Sequence, residues 1–499
     1  MLNTQFKKTR SSRQMILIEF NELCPTLLGE WIGQGHLPNF KRFRDASSAF
    51  ITVADQPEPP NLEPWIQWYS IHTGLDFDQH GVFDLTDGPI AGHEDIWTFL
   101  NGHGLRVGNF SSMNAAPFAV EDGFFLADPW CSTHPACPSK LQPYQDFVSR
   151  QVKEHSRKDG VGKIEEIAQF GNFMVRNGLT IETACKFMSR LLAEKTWDRN
   201  GSWKRASLLD RLQMDVFLRL FAEFQPNFST FFSNSTAHYQ HAYWRHMDPA
   251  PFTIRPDEKE IKKYGNAILY GYQQMDRLLG RLFEIERQGL MLVLATGLSQ
   301  QPFLRREGSG GQRFYRPRNI DKLLDLLGVS AIKVEPTMTH QFNLRCDPAQ
   351  STEIEQSLRS LKCDGRQVLD VRRVTDGQFY FGCGLGDVID PGALLTWGSS
   401  NEAVPFFDLF YAIDGLKSGR HHPDGVLWFK TGTPCRHSEK VSVLDIFPTI
   451  ADWLCGDDGQ QWRTTPTGLP RRGRSLLPLN GEPQKHYRAE RISVPNPSV

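Results

Sequence analysis

The stretch MILIEFNELCPTLLGEWIGQG, residues 15–35, decides the fold. Residues 15–20 are a short apolar run with β-branched content, which predicts a buried strand. Leu23, Leu27, Leu28 and Trp31 then recur at helical spacing, and Gly33 and Gly35 close the helix. A further strand at 105–109 completes a strand–helix–strand pattern. Such a pattern predicts an α/β fold with a mainly parallel central sheet flanked by helices.

Further along the chain, residues 140–225 are charged and helix-periodic, with Leu209, Leu212, Val216, Leu220 and Phe224 on one face. They read as a helical insertion. The α/β pattern resumes with a strand at 228–232 and an amphipathic helix carrying Ile268, Tyr272, Met275, Leu279 and Leu282. Gly289 ends that helix and a buried strand follows at 291–295. Residues 331–400 read as a small α+β cap, with strands at 340–346 and 378–382 around a helix at 352–361. The sheet returns at 425–430 and the helix 443–454 closes it. The whole α/β domain is expected over 14–480, with a disordered polar tail at 481–499.

The bulk numbers narrow the function classes. The 499 residues carry 56 Lys and Arg against 57 Asp and Glu, so no global charge field points to nucleic acid. The basic start, MLNTQFKKTRSSRQ, is followed by an apolar run too short for a signal peptide or a membrane span. Nine cysteines show no repeating spacing; Cys131 and Cys137 are the one close pair, where a zinc site of the usual kind needs two. Free thiols and a cytoplasmic location are the expectation.

Several segments occur in an order that resembles the alkaline phosphatase superfamily, particularly its type I phosphodiesterase and nucleotide pyrophosphatase branch. They are ILIEFNELCPTLL (16–28), LPNFKRF (37–43), PWIQWYSIHTGLDFDQHGV (64–82), NSTAHYQHAYW (234–244), RHHPDGVLWFKTG (420–432), SVLDIFPTIADWL (442–454) and GRSLL (473–477). The resemblance implies an alkaline-phosphatase-like sheet with metal ligands at the C-terminal ends of its strands. It also implies attack by a hydroxyl or thiol on a phosphoryl or sulfuryl centre.

The expected ligands are largely replaced. The family's first Asp falls on Asn21, with Glu22 beside it. The nucleophile region, residues 60–65, reads PNLEPW and contains no Ser, Thr or Cys. The Asp-x-x-x-His pair falls near Ala237 and His241, with His238 as the substitute for the Asp. The Asp-His-Gly that should end a later strand reads Ala295, Thr296, Gly297, Leu298. The last family histidine matches His422, with His421 as the alternative.

The resemblance therefore implies a single divalent ion (zinc, manganese or iron) on His238, His241 and His422. Glu22 or Glu63 is expected as fourth ligand or as the base that activates water. Asn21, Asn61 and Thr296 are candidate substrate contacts, though Asn61 reads equally as a turn residue. Both glutamates could be ordinary loop residues, and the histidines could be packed and hydrogen-bonded. Gln300 and Gln301 could be turn residues or could put hydrogen bonds where metal contacts were. The arginines between 305 and 318 read as an anion site or as a solvated loop. Trp65, Trp68 and Trp244 suit core packing or sugar stacking.

The expected function is a divergent phosphoester, phosphodiester or sulfate ester hydrolase acting on a small-molecule or glycan-linked anion. Two alternatives stay open: a non-catalytic relative that binds a ligand in the same pocket, and a group-transfer enzyme on a glycan or nucleotide-like substrate. No nucleic acid partner and no membrane span are expected, and the oligomeric state is left open.

Overall fold

The computed structural model describes residues 13–477, apart from 119, 121, 132–133, 155–163, 199–200, 338–339, 399–401, 414 and 432–433. The expected tail at 481–499 lies outside the described residues.

The central sheet has eight strands. Six are β1 (Gln14–Phe20), β2 (Ser48–Val53), β3 (Val107–Phe110), β4 (Phe124–Leu126), β5 (Phe228–Ser233) and β6 (Leu290–Ala295). The other two are Asp424–Phe429 and Cys435–Ser442. Their order across the sheet is Cys435–Ser442, β2, Asp424–Phe429, β6, β1, β5, β3, β4. Asp424–Phe429 runs antiparallel to β2 and β6, and all other neighbours are parallel. The α/β class read from the sequence stands.

The middle strand explains why the sheet has helices on both faces. Every residue of 15–20 is buried, and side chains alternate between the faces. Ile16, Ile18 and Phe20 face a core completed by the helices Pro25–Gly33, Pro38–Arg44, Ala206–Phe224 and Ala267–Glu284. Met15 and Leu17 face the other core, with the helices Pro64–Thr73, Ile96–Gly102 and Ile446–Cys455. Leu212, Val216 and Leu220 bury themselves in the first of these cores. The last helix of the 140–225 region is thus part of the layer that covers the sheet.

The small α+β unit has a core of its own, reaching from Tyr315, Leu323 and Leu324 to Phe406 and Phe410. It is wider than the pattern at 331–400 suggests, because Phe410–Ala412 pairs back onto Tyr315–Pro317. Beyond β6 the chain forms a two-stranded ribbon, Ser299–Pro302 against Gly419–His422, which sets Gln300 opposite His421.

Gly425 lets the ribbon turn back into the sheet. A Cβ there would lie 2.3 Å from the Thr296 carbonyl oxygen and 2.6 Å from Thr52 Oγ1. Gly425→Ala must push Asp424–Phe429 away from both neighbours, an overpacking cost of about 1–3 kcal/mol. A lowered urea midpoint at unchanged slope is the expected result; an unchanged midpoint would refute the close approach.

Candidate functional site

β1, β5 and β6 end side by side at the centre of the sheet, and the loops after them build the site. Ligand sites of open α/β sheets lie at this edge. After β1 the backbone turns sharply at Glu22, whose φ is +63°. A side chain in the left-handed region costs roughly 1 kcal/mol or more, so something must hold it there.

Four neighbours do. The Glu22 N–H donates to Thr296 Oγ1 at 2.9 Å, and its carbonyl accepts from Gln240 Nε2 at 2.7 Å. Its carboxylate accepts from Asn21 Nδ2 at 3.0 Å and from Gln300 Nε2. These groups are anchored in turn. Thr296 Oγ1 donates to the Leu298 carbonyl, Trp68 Nε1 donates to Asn21 Oδ1, and the Tyr272 hydroxyl donates to Gln240 Oε1. Asn21 and Thr296 therefore spend their polar atoms on shaping Glu22.

Two imidazoles face that carboxylate. His241, on the helix Ser235–Met247, has Nε2 3.4 Å from Glu22 Oε2. His421, on the ribbon, has Nε2 3.7 Å from Glu22 Oε1. Their other nitrogens fix the tautomers. His241 Nδ1 bonds the Gly419 carbonyl at 3.2 Å and His421 Nδ1 bonds the Leu62 carbonyl at 2.8 Å. A carbonyl only accepts, so both protons sit on Nδ1 and both Nε2 lone pairs point inward.

Burial alone would raise the Glu22 carboxyl, but the neighbouring His421 and His241 and the hydrogen bond from Gln300 outweigh it and bring it to about 2. Burial pushes His421 down to about 4. At neutral pH the pair is thus an ionised carboxylate beside a neutral imidazole.

Three electron-pair donors converge with no proton between them, which suits a cation. Bonds of about 2.0–2.2 Å in tetrahedral array put ligand atoms roughly 3.3–3.6 Å apart. The 3.4 Å from His241 to Glu22 Oε2 falls in that range, the 3.7 Å from His421 to Glu22 Oε1 lies just above it, and the three ligand atoms lie within 4.8 Å of one another. Backbone carbonyls orienting each imidazole are the usual support of a metal-binding histidine. Three protein ligands would leave a position open for water or substrate.

Beside this cluster opens a cleft of ≈ 320 Å³, lined by Leu62, Glu63, Phe303, Arg305, Lys417, Arg420 and His421 among others. Lys417 Nζ lies 5.1 Å from the Phe303 ring and 5.8 Å from the Phe314 ring. Arg420 Nε is buried with no hydrogen-bond partner among the described residues. Glu63 precedes the helix Pro64–Thr73 and its Oε2 is 3.4 Å from His421 Nδ1. Its side chain is 31% exposed, at the mouth of a walled recess. Burial pushes its carboxyl up to about 8, with Lys417 opposing the rise and Glu22 adding to it. A wider hollow of ≈ 510 Å³ lies against Lys140, Phe173 and Arg219, on outer helices, and none of the cluster residues lines it.

The structure brings Glu22 and His241 together, and Glu63 borders them through His421. It places the other predicted ligands elsewhere. His422 alternates to the opposite side of its strand from His421 and accepts the Asp424 N–H at 3.1 Å. His238 is exposed and meets the Tyr239 ring. Asn61 is a turn residue, its carbonyl accepting the Glu63 N–H at 2.8 Å. Trp68 and Trp244 are buried, and Trp65 donates to the Phe83 carbonyl. Gln240, Lys417 and Arg420 went unread in the sequence because nothing local marks them.

No family model matches the chain, and no curated protein matches it. Among solved structures it is similar to phosphonoacetate hydrolase from Sinorhizobium meliloti 1021, in complex with phosphonoformate and with phosphonoacetate. In each case the identity is 14%, 88% of this chain and 94% of that chain are covered, and the TM-score is 0.36. It is also similar to murine ectonucleotide pyrophosphatase / phosphodiesterase 5, at 11% identity over 89% of this chain and 95% of that chain, with a TM-score of 0.36. Likeness of this degree transfers neither activity nor site residues, and the fold class rests on the strand order above.

Elemental analysis of zinc-, manganese- or iron-treated protein tests the cluster. About one equivalent of metal is expected. Glu22→Gln, His241→Ala and His421→Ala should lose it, whereas His238→Ala and His422→Ala should keep it. Retention by the first three, or loss in the last two, would point to a different ligand set.

Proposed function

We propose that this protein is a metal-dependent hydrolase of phosphate esters, phosphodiesters or sulfate esters, with one ion held by Glu22, His241 and His421. The observation that carries the reading is the convergence of three lone-pair donors at the edge of a cleft lined with Arg305, Lys417 and Arg420. A site that is electron-rich on one side and cationic on the other suits an anionic ester with a bound metal. The substrate class we favour is a small or glycan-linked phosphate.

Bound at this position, a divalent ion supplies polarisation of an ester oxygen and a lowered pKa for water. The chain's own groups do the rest. Arg305, Lys417 and Arg420 take up the anion's charge and orient it. Leu62 and Phe303 wall the cleft and limit water. Glu63, once ionised as pH rises through its raised value of about 8, is placed to take the proton of an attacking water, since residues 60–65 offer no hydroxyl or thiol for a covalent intermediate. That missing nucleophile also favours a second reading, a protein that binds an anionic ligand without turning it over.

The test is release of nitrophenol from p-nitrophenyl phosphate, bis-p-nitrophenyl phosphate and p-nitrophenyl sulfate, by metal-loaded and chelator-treated protein. Metal-dependent release from at least one ester is expected. Glu63→Gln should keep its metal and lose roughly 10²–10⁴-fold in kcat. Metal-loaded protein that binds orthophosphate yet releases nothing from any ester would replace the hydrolase reading with the binding one.

A further inference from the structure

The small α+β unit meets the α/β body beside the mouth of the cleft, and it does so through polar groups. In its sheet Leu344, Val371, Phe379 and Phe381 enter the unit's own core. Their neighbours along the strands therefore face the other way. Arg372 and Tyr380 stand side by side on that outer face, paired across the strands Leu369–Thr375 and Gln378–Cys383, and Arg345 shares it.

That face rests on the loop 83–87 of the body. Arg372 donates to Asp84 at 3.0 Å, and its guanidinium lies 4.1 Å from the Phe83 ring and 5.3 Å from the Tyr380 ring. Burial pushes the Tyr380 hydroxyl up to about 12, with Glu63 and Asp84 adding to the rise and Thr337 and Arg372 opposing it. Tyr380 is thus near Glu63 at the cleft mouth as well as Asp84. Burial raises the Asp87 carboxyl, with the Asp84 N–H, Arg345 and Arg372 opposing it. The side chains of the Arg372–Asp84 pair are 43% and 11% exposed, so water can take the place of the bond at little cost. A polar contact of this kind permits motion between two units, where an apolar one would hold them together.

The other side of the unit is built as a hinge. Glu307 is tied to the body by Arg245 at 2.9 Å and by the Ile254 N–H. Tyr315 is tied to the small unit, its hydroxyl donating to the Asp387 carbonyl and accepting the Ile389 N–H. Between these anchors lie Gly308, Gly310 and Gly311, the last two at φ +91° and +80°. The returning chain carries Gly415, at φ +88°, before Ser418, whose Oγ accepts the Arg245 N–H. Glycines flanked by fixed points on both units can absorb a rotation of one against the other.

We propose that the small α+β unit is a lid over the cleft, hinged at 308–311 and latched to the body by Arg372 on Asp84 and Phe83. What the lid encloses rests on the anion site proposed above; the latch does not. The test is hydrogen exchange read by mass spectrometry on the full chain, first without ligand. Arg372→Ala and, from the body side, Asp84→Asn should each speed exchange at 60–65 and 83–87 about 10-fold. Exchange at 342–344 and 379–381, inside the small unit, should stay as in the wild type. Unchanged exchange at 60–65 and 83–87 in both variants would overturn the lid. So would an equal rise inside the small unit, which would make Arg372 a support of that unit's fold. With zinc and orthophosphate added to the wild type, exchange at 60–65 and 83–87 should slow. Orthophosphate that binds by calorimetry without slowing it would also overturn the lid. Orthophosphate that does not bind would overturn the anion site, and the comparison without ligand then decides the lid.

Discussion

A buried carboxylate at the end of the middle strand governs the site. Moving an ionised carboxyl out of water costs several kcal/mol unless hydrogen bonds or a cation replace its hydration. At Glu22 the carboxylate is met by Asn21 beside it and Gln300 on the ribbon, while Thr296 after β6 and Gln240 on the helix Ser235–Met247 hold its backbone N–H and carbonyl. The same contacts fix a left-handed backbone turn. Sheet, helix and ribbon are thereby locked to one another through one residue, and a displacement of any of them would be felt at the carboxylate.

The two histidines gain their orientation from that lock. His241 bonds a carbonyl of the ribbon, and the ribbon's own His421 bonds a carbonyl of the loop before the helix Pro64–Thr73. Gly419 allows the arrangement. A Cβ there would stand 2.2 Å from Gln300 Oε1 and 2.6 Å from the Gln240 carbonyl oxygen. Helix, ribbon and glutamine thus meet at a point where a side chain has no room, which keeps both imidazoles aimed at Glu22.

The central strands were legible because buried parallel strands are short uninterrupted apolar runs, as at 15–20, 228–232 and 291–295. Glu22 and His241 stood out as chemistry-bearing residues just past such runs. The choice between His421 and His422 was not legible. Adjacent residues of a strand point to opposite sides, and the ribbon register that decides between them depends on Ser299–Pro302, far away in sequence. Glu19 shows the same limit, since its side chain turns from the site edge to a buried bond with His72 at 2.8 Å. Lys417 and Arg420 come to the cleft only through the ribbon, so no local pattern announces them.

The neutral residues around Glu22 bear on how many charges the site can hold. Asn21, Asn234 and Thr296 stand where strand ends offer ligand positions, and each is hydrogen-bonded within the protein. The amides of Asn21 and Gln300 satisfy the carboxylate by donation, whereas further carboxylates at these positions would add negative charge and call for a second cation. With two neutral imidazoles, the ligand set carries one negative charge. A single divalent ion would leave the cluster net positive, and Lys417, Arg305 and Arg420 add to that charge on the cleft side. The resulting field favours an anion entering the cleft, and it strengthens wherever the walls keep water out. With hydrogen-bonded neutral groups around Glu22, recognition of an anion would fall to the cationic side chains of the cleft.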